Sequence, residues 1–97
     1  MATRNDPVTL TDADRTAIEA GVRAAVGNVA SAAFRTMIAT KGADGTVTAC
    51  GYVNTGDGDK PYVGTLAGGA FTVTGRGGTA EETIATHSAC GRKGIHI

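Results

Sequence analysis

The sequence predicts a single α+β domain in which an N-terminal helix packs on a four-stranded antiparallel β-meander and a short C-terminal helix closes the fold. Three observations predict it. Apolar residues recur at helical spacing from Ile18 to Val29; four short β-branched and apolar runs follow, separated by glycine-rich turns; and a second helix-start signal stands at Thr79. The chain has 97 residues, enough for one compact domain with one core, and residues 11–97 are assigned to it.

Residues 1–10 are polar, contain Pro7, and read as a flexible, extended N-terminal segment. Thr11 opens the first helix, because its hydroxyl can accept from early helical amides while Asp12 and Asp14 lie at the positive end of the helix dipole. Ile18, Val22, Ala25, Val26 and Val29 share one face and Arg15, Glu19 and Arg23 another, so the helix is amphipathic; the pattern runs to about Asn28 and the helix is placed over residues 11–30. Gly21 and Gly27 each weaken it by ~1 kcal/mol relative to Ala, which points to close packing or to a weak C-terminal end.

Beyond Ser31 the helical period fades and Phe34–Thr40 suits a strand. Asp44-Gly45 is a hairpin signal, since these residues tolerate the positive φ of such turns. In Thr46–Asn54, Val47, Ala49, Gly51 and Val53 alternate with Thr46, Thr48, Cys50 and Tyr52; the first set forms a shallow face on which a helix can lie close. Thr55–Lys60 is a turn, Pro61 begins the strand that continues through Tyr62–Leu66, and Gly68-Gly69 reverses the chain into Phe71–Thr74. Thr79-Ala-Glu-Glu82 has capping-box spacing for a helix to about Lys93. The β-branched Thr83, Ile84 and Thr86 make a fifth strand there the competing assignment.

Composition sets limits. The 41% hydrophobic fraction comes mainly from Ala and Val, with two Phe, two Tyr and no Trp, so the core is thin and a cross-link would matter. Nine basic residues balance nine acidic ones, which leaves no global field to gather a nucleic-acid backbone or anionic lipid. No apolar run approaches the ~20 residues of a spanning helix, and the first residues lack the apolar stretch of a secretory signal. As written the chain is expected in the cytoplasm; with a signal already removed, it would be periplasmic or secreted.

Cys50 and Cys90 are the only cysteines, and two states of the pair remain open. A disulfide would clamp the last element to the sheet, worth about 4 kcal/mol by the chain-entropy model. Two buried thiols would instead behave as small hydrophobes, as in a cytosolic chain. Zinc is a further option at Cys50, His87 and Cys90, because His87 and Cys90 are three apart and share a helical face. The remaining spacing matches no standard finger, and His96 reads as solvated. No metal or cofactor is therefore assigned.

Asp57 and Asp59 sit in a glycine-rich turn, yet Lys60-Pro61 occupies the place where a calcium loop needs further oxygen donors. Gly75-Arg76-Gly77-Gly78 precedes a helix and offers amides to an anion, but Glu81 and Glu82 in the first turn oppose one there, so an ordinary loop is preferred. Ser31 and Ser88 lack a nucleophile elbow or a paired base, which places a hydrolase third among the functional options. Tyr52 and Tyr62 are expected to be neighbours across the turn, as an exposed contact pair or a stabilising aromatic pair.

The segments "SAAFRTM", "DGTVTACGYVN", "DKPYVG" and "CGRKGI" together resemble a family of short, mostly uncharacterised bacterial proteins, often exported or lipoprotein-like. In these a helix leads into Ser-Ala-x-Phe, a Cys-Gly-x-Val-Asn strand, a glycine-rich turn and a Pro-Phe or Pro-Tyr strand, with a late cysteine. The resemblance spans roughly Ala17 to Ile95 and is most specific at Cys50–Asn54; the turn after Asn54 is shorter here than the family's. It implies the fold and an envelope location, and no catalytic residue.

The preferred function is a non-enzymatic interaction module at the cell envelope that presents Tyr52, Asn54, Asp57, Asp59 and Tyr62 to a protein or small-ligand partner. The alternative is a small metal or ligand binder using Cys50, His87 and Cys90. An edge strand of so short a meander also allows a homodimer.

Overall fold

The computed structural model describes residues 5–27, 32–56 and 58–97. Its elements in chain order are β1 (Asn5–Val8), α1 (Asp12–Ala25), β2 (Ala33–Gly42), β3 (Val47–Asn54), β4 (Asp59–Ala67), β5 (Ala70–Arg76) and α2 (Ala80–Arg92). The strands form one antiparallel sheet in the order β1-β2-β3-β4-β5. The fold is α+β as expected, with five strands where four were expected. The additional strand comes from the N-terminal segment: Asn5–Val8 pairs antiparallel with Gly42–Ala39. Pro7 is tolerated because β1 is an edge strand, where a missing amide costs little.

Both helices begin where their threonines indicate. Thr11 Oγ1 accepts from the Asp14 amide at 3.1 Å while Asp14 Oδ2 accepts from the Thr11 amide at 3.0 Å; Thr79 and Glu82 repeat the box at 3.1 and 3.0 Å. α1 stops at Ala25, short of the expected end, because Gly27 adopts φ +88°, the left-handed conformation that terminates helices. Residues 28–30 of the expected helix lie outside the described residues. In α2 the threonines that suggested a strand turn their hydroxyls back along the helix, Thr83 donating to the Thr79 carbonyl at 2.9 Å and Thr86 to that of Glu82 at 2.8 Å.

The pleat sends Ala49, Gly51 and Val53 of β3 to one face of the sheet and Thr48, Cys50 and Tyr52 to the other. On the first face, Ile18 and Val22 of α1 pack with Ala39, Ala49, Val53, Tyr62 and Phe71. On the second, Cys90 of α2 and Ile95 beyond it pack with Cys50 and Val63. The molecule therefore has three layers, with a helix on each face of the sheet. The reason lies in β3, where Thr48 to Gly51 are buried in succession, so both faces need cover.

Close approach explains Gly51. A Cβ there would collide with the Thr36 carbonyl oxygen and lie 2.6 Å from Tyr62 Oη. Thr36, at φ +52°, is the bulged residue of β2 between Arg35 and Met37, and the bulge is what aims its carbonyl inward. Beyond α2 the chain crosses back over the second face, where Thr40 Oγ1 donates to the Lys93 carbonyl at 2.7 Å and Ile95 is buried.

Candidate functional site

Cys50 lies in the middle of β3 and Cys90 in the last turn of α2, and their sulfurs are bonded to each other. The Cα atoms are 6.2 Å apart and the link spans 40 residues of sequence. Both cysteines are fully buried. Of the two states left open by the sequence, the structure has the cross-link, which ties the α2 layer to the sheet. The pair supplies no thiolate to a metal in this state. His87 instead faces the ring of Tyr52, with centroids 6.0 Å apart, and among the described residues no three His, Cys, Asp or Glu gather as a metal group.

The expected contact residues divide. Tyr52 is half-buried beside His87, on the α2 face. Tyr62 is fully buried on the α1 face, edge-on to Phe71 at 6.1 Å. The two tyrosines are thus on opposite faces, because Tyr62 pairs with Gly51 and it is Pro61 that pairs with Tyr52. Tyr62 is corrected from an exposed contact residue to a core residue. Its hydroxyl has no hydrogen-bond partner among the described residues, and burial, aided by the charge of Glu19, pushes its pKa far above the ordinary value. Asn54 Oδ1 accepts from the Gly56 amide at 2.8 Å and shapes its own turn. Asp59 is paired with Arg35 at 3.3 Å, and Asp57 lies outside the described residues.

What lies beside this turn is more informative than its side chains. Two clefts flank the C-terminal end of β5, and Arg76 borders both. One, of about 210 Å³, lies between α2 and the sheet, with Val63, Ala85 and Ala89 along its floor and Glu82 and Arg76 at its rim. The other, of about 130 Å³, lies below the end of α1 between Val26, Val53, Lys60, Arg76 and the Gly77-Gly78 backbone. Lys60 pairs with Val53 and Arg76 with Tyr62, so pleat parity puts both cations on the α1 face as diagonal neighbours.

Sequence reasoning did not single out Lys60. Counting strand partners outward from the Gly68-Gly69 turn without a bulge sets Arg76 opposite Pro61, on the other face from Lys60; the register shift between Val63 and Gly64 is what brings the two cations to one face. Comparison with family models, curated proteins and solved structures finds no match. The site is therefore interpreted from its own geometry.

Proposed function

We propose that this chain is a non-enzymatic binding module of an oxidising compartment, whose recognition end is formed by the β3–β4 turn and the two clefts that meet at Arg76. The observation that carries it is this convergence of two concavities at one end of a sheet. Each cleft joins apolar walls to an exposed guanidinium, the combination by which small binding sites hold and orient a ligand. The buried cross-link supports the compartment, since such bonds persist where thiols are not kept reduced. The resemblance to exported bacterial proteins points the same way. No helix among the described residues is long and apolar enough to cross a membrane.

The test uses a photo-crosslinking residue at one of two exposed positions, Thr74 beside the clefts or Ala43 in the β2–β3 turn. Oxidised protein carrying each probe is exposed to an envelope extract. Crosslinking to a discrete partner from Thr74 but not from Ala43 is expected; equal labelling from both, or none, would remove the recognition end from this location. Mass spectrometry of unreduced protein isolated from its native compartment checks the cross-link separately.

A further inference from the structure

The smaller cleft has a charge arrangement that asks for a ligand. Lys60 and Arg76 both border it, and no carboxylate among its described lining residues does so. Two nearby acids have partners of their own. Asp59 pairs with Arg35, and Glu82 Oε1 accepts from the Thr79 amide while its side chain borders the other cleft. Register parity sends Asp59 to the opposite face from Lys60, because the two are adjacent in one strand.

The carbonyl end of α1 reaches the cleft at Val26. Its macrodipole amounts to roughly half a negative charge, which offsets only a fraction of two full positive ones. As diagonal cross-strand neighbours the two residues leave the sheet about 7–8 Å apart at the backbone, near enough for both charged ends to reach one oxyanion. Gly77 and Gly78 put bare backbone on the remaining wall. The Gly77 amide is committed to the Pro61 carbonyl at 2.8 Å, and a Cβ at Gly77 would lie 2.6 Å from Thr83 Oγ1, so this wall is fixed in place. Glu82 Oε1 stands beside Gly78, 2.9 Å from where a Cβ would be, so one acid backs this wall; it accepts from the Thr79 amide there, and it is one carboxylate against the two cations.

We infer that the cleft between Lys60 and Arg76 binds a single small oxyanion, the chemistry shared by inorganic phosphate and by a ligand ending in a carboxylate. This inference rests on the reading of this end of the molecule as the recognition end and names the group it recognises. Arg76 supplies a planar fork for two oxygens and Lys60 a point charge, so binding is bidentate on one side and purely electrostatic on the other.

The experiment titrates the oxidised protein with inorganic phosphate and, separately, with acetate at constant ionic strength, following backbone amides by NMR. Saturable shifts centred on Lys60, Arg76, Gly77 and Gly78 are expected from at least one probe. Its affinity should fall tenfold or more in Lys60→Gln and in Arg76→Gln, while Lys60→Arg retains it and Arg23→Gln, on α1, leaves it unchanged. A response to phosphate but not acetate assigns the site to phosphate, and the reverse assigns it to a carboxylate; either upholds the inference. Shifts that do not saturate, or that survive both Gln variants, overturn it. It is also overturned if the Gln variants lower thermal stability equally with and without either probe, because the cations then serve only the end of α1. Partner crosslinking from Thr74 in a protein that binds neither probe would refute the oxyanion site and leave the binding module standing.

Discussion

The two faces of the sheet are held by different means. On the α1 face, seven buried residues from α1 and four strands form a continuous cluster, edged by partly buried Val8, Leu10, Phe34, Met37 and Leu66. On the α2 face the buried cluster is Cys50, Val63, Cys90 and Ile95. At ~1.5–3 kcal/mol for each fully buried aliphatic side chain, Val63 and Ile95 together contribute about 3–6 kcal/mol. A disulfide across a separation of 40 residues contributes about 4 kcal/mol in the chain-entropy model. The covalent bond is thus comparable to the burial of Val63 and Ile95, to which only the partly buried Ala89 and Ile97 add on this cluster. A helix with little apolar surface can be kept on a sheet this way, and its outer side need not be apolar for any structural reason.

The largest effect expected follows from breaking that bond. Reduction, or replacement of Cys50 and Cys90 by Ala, should lower unfolding stability by about 4 kcal/mol, read from the denaturation midpoint. Hydrogen exchange should then show α2 amides losing protection before those of β2 and β3. Simultaneous loss everywhere would mean that the two faces do not separate. Next comes the α1 face itself. Gly51→Ala drives a methyl group into the Thr36 carbonyl and the Tyr62 hydroxyl and should cost about 3 kcal/mol, the upper end of typical overpacking. Gly91→Ala in α2, where a Cβ meets nothing within 4 Å, should instead raise stability by up to ~1 kcal/mol.

Tyr62→Phe tests the one polar group buried without a partner in the α1 cluster. It should leave stability unchanged or raise it by about 1 kcal/mol, since an unpaired buried hydroxyl is removed with the ring retained. The alkaline limb sharpens the point. With the folded pKa raised above its ordinary 10.0, the unfolded chain loses this proton first. Stability is therefore fully present below that pH and falls above it, by at most about 1.4 kcal/mol per pH unit. The Phe variant should lose this part of the slope. The smallest effect belongs to the exposed β2–β3 turn, away from either cluster. There the Thr46 amide, donating to Asp44 Oδ1 at 3.0 Å, holds the carboxyl below its ordinary 3.8. The resulting stabilisation is present above that value and is lost as pH falls through the depressed pKa, so Asp44→Ala should lower stability slightly at neutral pH and flatten the acid limb, the two proteins converging at low pH.

Elements with strong local signals were legible in the sequence. Thr11 and Thr79 fixed the helix starts because a capping box is a contact within four residues, and the β3 alternation identified its two faces because the pleat has period two. The fifth strand was not legible: Asn5–Val8 is short, contains Pro7, and forms only because β2 offers it an edge. Nor did alternation alone reveal that both faces of β3 are covered, since Thr48 and Cys50 read as a polar side until α2 and Ile95 are placed over them. The pairing of the cysteines needed the path of α2, and the Lys60–Arg76 cleft needed the bulge that shifts the β4–β5 register between Val63 and Gly64. Tyr62 was misplaced for a related reason, because its burial depends on the vacancy at Gly51 across the strand.

The Cys50–Cys90 bond also divides the chain under tension. Pulled from its two ends, the oxidised molecule can extend only through the segments before Cys50 and after Cys90, because β4, β5 and most of α2 lie inside a closed covalent ring. Reduction opens that ring and releases 40 further residue steps of contour, about 140 Å at ~3.5 Å per residue. Half of the sheet is thereby shielded from mechanical stretching for as long as the molecule stays oxidised.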